Sequence, residues 1–251
     1  KKKKKELRKE AQARGPATVK SLPKKETILS QLTQDESCFR IEKLWEVAAN
    51  EFSTTGHGYA QISETVDELA RGNEICVMGV LENGETLYTT KEMLRLERDY
   101  TNAAYLACDN TDYIVDANFV DKAIIDFKEQ YGFSLSDEQT KALRHVTQKP
   151  GRFQLLRGAA GAGKTSLQTA AKSAWEQAGY TVVGAAMSAR AAEELEKNAG
   201  IESTTLHSLL ARNESDENSH NDNRFRLGKR HILVIDEAGL IDSRTMHSIS
   251  I

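Results

Sequence analysis

Gly158-Ala159-Ala160-Gly161-Ala162-Gly163-Lys164-Thr165 satisfies the pattern G-x-x-x-x-G-K-[ST] at every fixed position. A loop of this kind wraps a polyphosphate with its backbone N–H groups, and its glycines permit the close approach and positive φ angles that the wrap needs. A helix that follows would point the positive end of its dipole at the same anion. Gly158, Gly161, Ala162, Gly163 and Ser166 are therefore expected to line the phosphates. Lys164 would reach the outer phosphates, and the Thr165 hydroxyl would sit on Mg²⁺. The flanks predict the right context: Phe153-Gln154-Leu155-Leu156 reads as a short buried strand, and Ser166 to Trp175 reads as a helix ended near Gly179.

About seventy residues later, His231-Ile232-Leu233-Val234-Ile235-Asp236-Glu237 reads as a buried strand ending in paired carboxylates. At a strand tip behind a phosphate loop, Asp236 is suited to holding Mg²⁺, directly or through its waters, and Glu237 to orienting and deprotonating a water. Upstream, Ser136 and Gln139 have the spacing of a capping box, with Leu135 as a hydrophobic staple. A glutamine amide also matches the N6 and N7 edge of adenine. Both readings of Gln139 stay open from spacing alone.

The chain has 251 residues, enough for one large or two small domains with cores of their own. At 39% hydrophobic and 28% charged with 3 prolines, its composition is ordinary for a soluble globular chain rich in helix formers. Its net charge of -3 is unevenly spread, because Lys1 to Lys5, Arg8, Lys9, Arg14, Lys20, Lys24 and Lys25 face only Glu6 and Glu10. This arm reads as a solvated basic linker, with nucleic acid as the competing partner. Cys38, Cys76 and Cys108 are odd in number and form no C-x-x-C pair, which suggests neither a disulfide framework nor a zinc site and fits a reducing cytoplasm. Apolar runs such as 232–235 are too short to span a bilayer, and no apolar stretch follows the lysines as in a signal peptide, so no membrane insertion is expected. The chain does not begin with Met and stops a few residues into an expected helix at 243–251, and so reads as a piece of a longer protein.

Four regions are expected: a basic linker at 1–25, a helical unit with a hairpin at 26–110, a connecting helix at 111–134, and a phosphate-loop domain at 135–251. In the second region, helices at 26–32, 39–48 and 62–70 precede strands at 75–81 and 85–89 joined by Asn83-Gly84. A capping box of Thr89 with Glu92 is expected to open the next helix. Three helices and a hairpin outline a winged-helix-like unit, in which Ser63 to Arg71 would occupy the place of a DNA-reading helix; the same outline also serves as a packing module. Beyond the loop, a strand at 181–185, a helix at 191–198 closed by Gly200, a helix opened by Thr204-Thr205-Leu206-His207 and a mobile polar loop at 213–223 complete the reading.

Taken together, Leu135-Ser136-x-x-Gln139, Gly158 to Thr165, Ser188-Ala189-Arg190-Ala191-Ala192, Thr204 to His207 and Ile235-Asp236-Glu237-Ala238 resemble the first half of a RecD-like superfamily 1 DNA helicase. The part from Phe39 to Asn110 resembles the segment that precedes this helicase in conjugative relaxases of the plasmid-transfer type. The resemblance implies an α/β fold: a P-loop NTPase, RecA-like parallel sheet with helices on both faces, incomplete at the C-terminus, preceded by the winged-helix-like unit. It implies ATP and Mg²⁺ as cofactors, with Gln139 on adenine, Lys164 on the β and γ phosphates, Thr165 and Asp236 on the metal and Glu237 as catalytic base. Ser188, Arg190, Thr205 and His207 fall where such helicases touch single-stranded DNA, largely through its backbone. Other conjugation or relaxosome proteins are the further partners it implies.

The departures are Met187-Ser188 where the family often has Pro-Thr, and the absence of everything after the acidic motif, including the second RecA-like domain and its arginine finger. In the family a later strand inserts between the phosphate-loop strand and the acidic-motif strand, so the three strands here are expected to leave a gap or re-pair. An arginine finger is worth about 10³ to 10⁵ in rate, so weak ATP binding with little hydrolysis and no unwinding is expected of this piece alone. Relaxase chemistry, which needs a Tyr nucleophile and a His-bound metal, is not visible. Two other classes compete: a non-catalytic DNA-binding regulatory module that has lost turnover, and an unrelated phosphate-loop kinase or ATPase. Intact Lys164, Thr165, Asp236 and Glu237 argue against the former, and the Ser188–Arg190 and Thr205–His207 segments against the latter.

Overall fold

The computed structural model describes residues 21–159, 161–214 and 225–250. These form two compact units: residues up to Arg98 together with Asp242–Arg244, and Asp99–Ile241 with the residues from Thr245 on. The expected basic linker falls largely outside the described residues, as does most of the polar loop expected at 213–223.

The first unit contains α1 (Lys25–Leu32), α2 (Ile41–Phe52), α3 (Tyr59–Arg71), and a hairpin of β1 (Ile75–Val80) and β2 (Thr86–Thr90). Apolar residues recur at helical spacing, so one stripe of each helix turns inward: Ile28 and Leu32, Leu44, Val47, Ala48 and Phe52, and Val66 and Leu69 are all buried, with Phe39 among them. The hairpin turns at Asn83-Gly84, where Gly84 takes φ +84 and Leu81 N–H donates to the Glu85 carbonyl at 2.8 Å. Its ladder is antiparallel, Ile75 facing Thr90, with an irregularity between Val77 and Gly79. The helix cap after it lies one residue later than expected. Thr89 is still in the ladder opposite Cys76, with its hydroxyl donating to the Ser37 carbonyl, so Thr90 Oγ1 accepts the Met93 N–H instead and α4 (Lys91–Leu106) starts there.

The exposed groove along α3 is lined mainly by polar and acidic side chains. Tyr59, Ser63, Glu64, Asp67, Glu68 and Arg71 line it, so three carboxylates face one cation of the helix itself. Lys25 reaches Glu68 from α1 and Arg71 folds onto Asp67. With three carboxylates against these two cations, the groove has a small acid excess, which does not add attraction for a phosphate backbone.

The second unit takes over within α4 and continues through α5 (Ala117–Tyr131), α6 (Asp137–Gln148), α7 (Lys164–Gln177), β3 (Thr181–Ala186), α8 (Ala189–Ala199), β4 (Ser203–Thr205), α9 (Leu206–Glu214), β5 (His231–Ile235), a short 3₁₀ turn at Ala238–Leu240 and α10 (Ser243–Ser250). The strands form a parallel sheet in the order β4-β3-β5. Both faces are covered, which explains the unbroken apolar runs of β3 and β5. Val182, Ile232 and Val234 join a core with Val120, Ala123 and Phe127 of α5, Leu143 of α6 and the Ala170, Ala171 and Ala174 stripe of α7. The alternate residues Ala185, Leu233 and Ile235 join Leu206 and Leu209 of α9 on the other side. The stretch 111–134, read as a connection, thus supplies a core helix, capped by Asp116 and ended by Gly132 at φ +75. Gly184 is required in β3 because a Cβ there would stand 2.1 Å from Ser203 Oγ of the neighbouring strand.

Residues 153–156 are not a strand. They are paired to none of the sheet's strands, and Leu155 is 84% exposed and Phe153 40%. An apolar run becomes a buried strand only when a neighbour supplies both ladder partners and a covered face. Among the described residues no strand pairs with 153–156, one of the two outcomes expected of the incomplete sheet, although Leu156 is half-buried against the core of this unit. The α/β, P-loop, RecA-like fold class holds with this strand missing from the sheet.

Candidate nucleotide and nucleic-acid site

The phosphate loop runs into α7 at Lys164. Gly161 at φ +77 and Gly163 at φ +73 take the left-handed backbone that the sequence demanded of them. The Lys164 ammonium folds back over the loop and donates to the carbonyls of Gly158 at 2.9 Å and Ala159 at 3.2 Å. It thus sits inside the bend, where phosphate oxygens would compete for it. Thr165 and Ser166 begin the first turn of α7, with Thr165 exposed and Ser166 half-buried.

Gln139 meets one of its expectations and adds a contact that spacing could not reveal. Its Oε1 accepts from Ser136 N–H at 2.8 Å, and its own N–H donates to Ser136 Oγ at 3.2 Å, the reciprocal capping box. Its Nε2 donates to the Ala162 and Gly163 carbonyls, each at 3.3 Å. The adenine edge expected of it therefore competes with bonds already made.

The acidic tip lies at the C-terminal edge of the sheet. Asp236 N–H donates to the Ala185 carbonyl at 3.0 Å, extending the β5–β3 ladder, while Thr205 at the end of β4 is opposite Ala186. Asp236 and Thr205 thus flank the end of β3, the edge where ligands of open parallel sheets bind. Asp236 Oδ1 accepts the Glu237 N–H at 3.0 Å. Glu237, with φ 53 and ψ 38, is the described residue other than glycine with a positive φ, and its side chain is exposed.

Ser188 and Thr205 serve first as caps. Ser188 Oγ accepts the Ala191 N–H at 3.1 Å at the start of α8, and Thr205 Oγ1 accepts the Ser208 N–H at 3.2 Å at the start of α9. Arg190 is paired with Glu194 one turn on, at 3.0 Å, with its side chain 89% exposed. His207 is exposed in the first turn of α9. β4 itself was missed in the sequence, being only three residues long and without periodicity of its own.

The donor chemistry fits Mg²⁺ with a polyphosphate: a threonine hydroxyl and a carboxylate are hard oxygen ligands, and this ion takes few protein ligands and keeps water and phosphate oxygens for the rest. Among the described residues no group of three His, Cys, Asp or Glu is placed to hold a metal ion, so a cage built from protein alone is not offered. The three cysteines are free, and the Cys38 thiol is pushed up by burial and then by the nearby Glu97 charge, which disfavours a thiolate. No described helix is long and apolar enough to cross a membrane.

Residues 134–250 match the family model described as AAA domain. The chain is 33% identical over 244 residues to the probable conjugal transfer protein TraA of Sinorhizobium fredii (strain NBRC 101917 / NGR234), a match covering 96% of this chain and 21% of that protein. It is 38% identical over 159 residues to the conjugal transfer protein TraA of Rhizobium radiobacter, covering 63% of this chain and 13% of that one. The chain spans about a fifth or less of the length of these relatives. Together these matches bear out the resemblance to the RecD-like helicase portion of a conjugative relaxase.

Proposed function

We propose that this chain is the ATP- and Mg²⁺-binding portion of a DNA helicase or translocase that works within a conjugal transfer protein on single-stranded DNA. The observation that carries the reading is a phosphate loop with Lys164 folded into its bend, in the same unit as a parallel sheet whose C-terminal edge gathers Asp236 and Thr205 around the end of β3. Lys164 would exchange its two carbonyl contacts for phosphate oxygens. Thr165 and Asp236 would hold Mg²⁺, which would supply charge neutralisation at the phosphates. Glu237 would accept the proton of the attacking water. Ser188, Arg190, Thr205 and His207 would meet the strand through its phosphates, the contact a sequence-indifferent protein requires. Cytoplasmic placement and conjugation partners are part of the same reading.

The test is ATP hydrolysis with and without single-stranded DNA, by this chain and by a longer form spanning its relatives' length, each beside Lys164→Ala. DNA-stimulated turnover by the longer form, lost in Lys164→Ala and nearly absent from the short chain, is expected. DNA binding by the longer form without turnover would replace this reading with the regulatory module. Appreciable DNA-stimulated turnover by the short chain would refute its dependence on further residues.

A further inference from the structure

The chain enters the phosphate loop without a ladder to carry it, so other contacts fix where Gly158 begins. Leu156 packs on the core, but Phe153 and Leu155 are exposed and no described strand pairs with this stretch. At its upstream end the arm is clipped instead. Gly151 N–H donates to the Asn110 carbonyl at 2.7 Å, and Arg152 N–H to the Ala107 carbonyl at 3.2 Å. Gly151 does so at φ +113, which glycine adopts readily, and a Cβ there would stand 3.3 Å from the Cys108 carbonyl oxygen. The Gln154 carboxamide folds back over the same turn, donating to the carbonyls of Lys149, Pro150 and Gly151 at 3.3, 2.9 and 3.2 Å. The acceptor segment is itself fixed on two further sides. Val115 N–H donates to the Thr147 carbonyl near the end of α6 at 2.8 Å, and the Tyr180 hydroxyl, just before β3, donates to the Asp112 carbonyl at 2.8 Å. All of these residues belong to the second unit. An arm released from such a clip gains backbone freedom that a bound polyphosphate would have to remove again.

We propose that residues 107–115, which lie ahead of residue 134 where the AAA domain match begins, are positioning residues for the phosphate loop: they hold its incoming arm in place and so set polyphosphate affinity. This rests on the nucleotide reading above for its ligand, but the clip itself is measurable without one.

Gly151→Ala strains the turn and drives a Cβ toward the Cys108 carbonyl, which spreads the clip. Tyr180→Phe loosens the acceptor segment from its other side and leaves 149–154 untouched. Asn213→Ala loses bonds to the Phe225 carbonyl and the Leu227 N–H, so it is expected to lower stability away from the arm and serves as the control. Backbone order parameters of the Gly158 and Gly161 amides, measured by NMR on the chain without ligand, are expected to fall in Gly151→Ala. They are expected to fall less in Tyr180→Phe and to stay at the parent value in Asn213→Ala. Calorimetric titration with Mg²⁺ and inorganic tripolyphosphate is expected to show affinity weakened about five- to tenfold in Gly151→Ala, the effect of ordering roughly one residue on binding, and about twofold in Tyr180→Phe. Parent-like order at Gly158 in both variants would overturn the proposal, and so would an equal loss of affinity in Asn213→Ala. Should Gly151→Ala fail to fold, Tyr180→Phe decides alone. Failure of the parent to bind tripolyphosphate would defeat the nucleotide reading, while loss of order at Gly158 in Gly151→Ala would still uphold the clip.

Discussion

The phosphate loop and the tip of β5 both use left-handed backbone, but they reach it by different residues. At Gly161 and Gly163 the conformation comes without steric cost, because no Cβ stands against the following carbonyl. At Glu237 it comes with a side chain attached, a placement worth roughly 1–2 kcal/mol of strain per residue for an ordinary amino acid. The loop works through its main chain, so glycine loses nothing there. The tip is proposed to work through a carboxylate, so the strain is kept. Backbone strain thus distinguishes a place where the chain itself is the ligand from one where a side chain must be held in a particular direction.

The comparison is most severely tested at the loop. Gly163→Ala combines left-handed strain with a Cβ driven against the Gln139 amide, whereas at Gly161 nothing described lies within 4 Å of where a Cβ would stand. Gly163→Ala is expected to lower stability by about 2 kcal/mol or more and polyphosphate affinity by about tenfold or more. Gly161→Ala is expected to cost only the strain, about 1 kcal/mol. Urea unfolding and tripolyphosphate titration on both variants measure this, and equal losses would show that the Gln139 contact adds nothing.

At the tip the effect has the opposite sign on stability. Glu237→Gly releases the strain, less the extra freedom of glycine in the unfolded chain, and is expected to raise unfolding free energy by about 0.5–1 kcal/mol while removing the proposed base. Glu237→Gln keeps the strain and removes the base, so it should match the parent in stability and Glu237→Gly in lost turnover. A parent-like melting point in Glu237→Gly, measured in the same buffer, would mean that the left-handed conformation stores no strain.

What the sequence made legible follows from how local each feature is. The loop's glycines, the Ser136–Gln139 box, the Gly132 and Gly200 helix ends and the apolar run of β5 are fixed by neighbours within a few residues, and each is where its pattern placed it. Residues 153–156 have the composition of a strand but depend on a partner strand elsewhere in the chain, and without one they stay unpaired, with Phe153 and Leu155 exposed. The Thr90 cap is displaced from Thr89 by a ladder set by Cys76, and the Gln139–Gly163 contact crosses 24 positions. Such features are decided by tertiary pairing, which a periodicity does not contain.

The smallest effects separate capping from ligand contact along the sheet edge. Ser188 has an ordinary extended backbone and a hydroxyl already engaged by the Ala191 N–H, so Ser188→Ala is expected to cost about 1 kcal/mol of stability through the cap alone. Arg190 is on the first turn of the same helix, but its ion pair with Glu194 is solvated, and such pairs contribute at most about 1 kcal/mol. Arg190→Ala should therefore leave unfolding almost unchanged. If its guanidinium meets a phosphate, single-strand affinity falls several-fold in low salt and the slope of log affinity against log salt drops by roughly 0.7, the single-strand value for one contact. Fluorescence anisotropy of a labelled oligonucleotide across a salt series reads both quantities. An unchanged slope in Arg190→Ala would assign the residue to its helix alone, and would leave the strand's contacts on this edge to His207 and to the caps, whose hydroxyls carry no charge and so add no salt dependence.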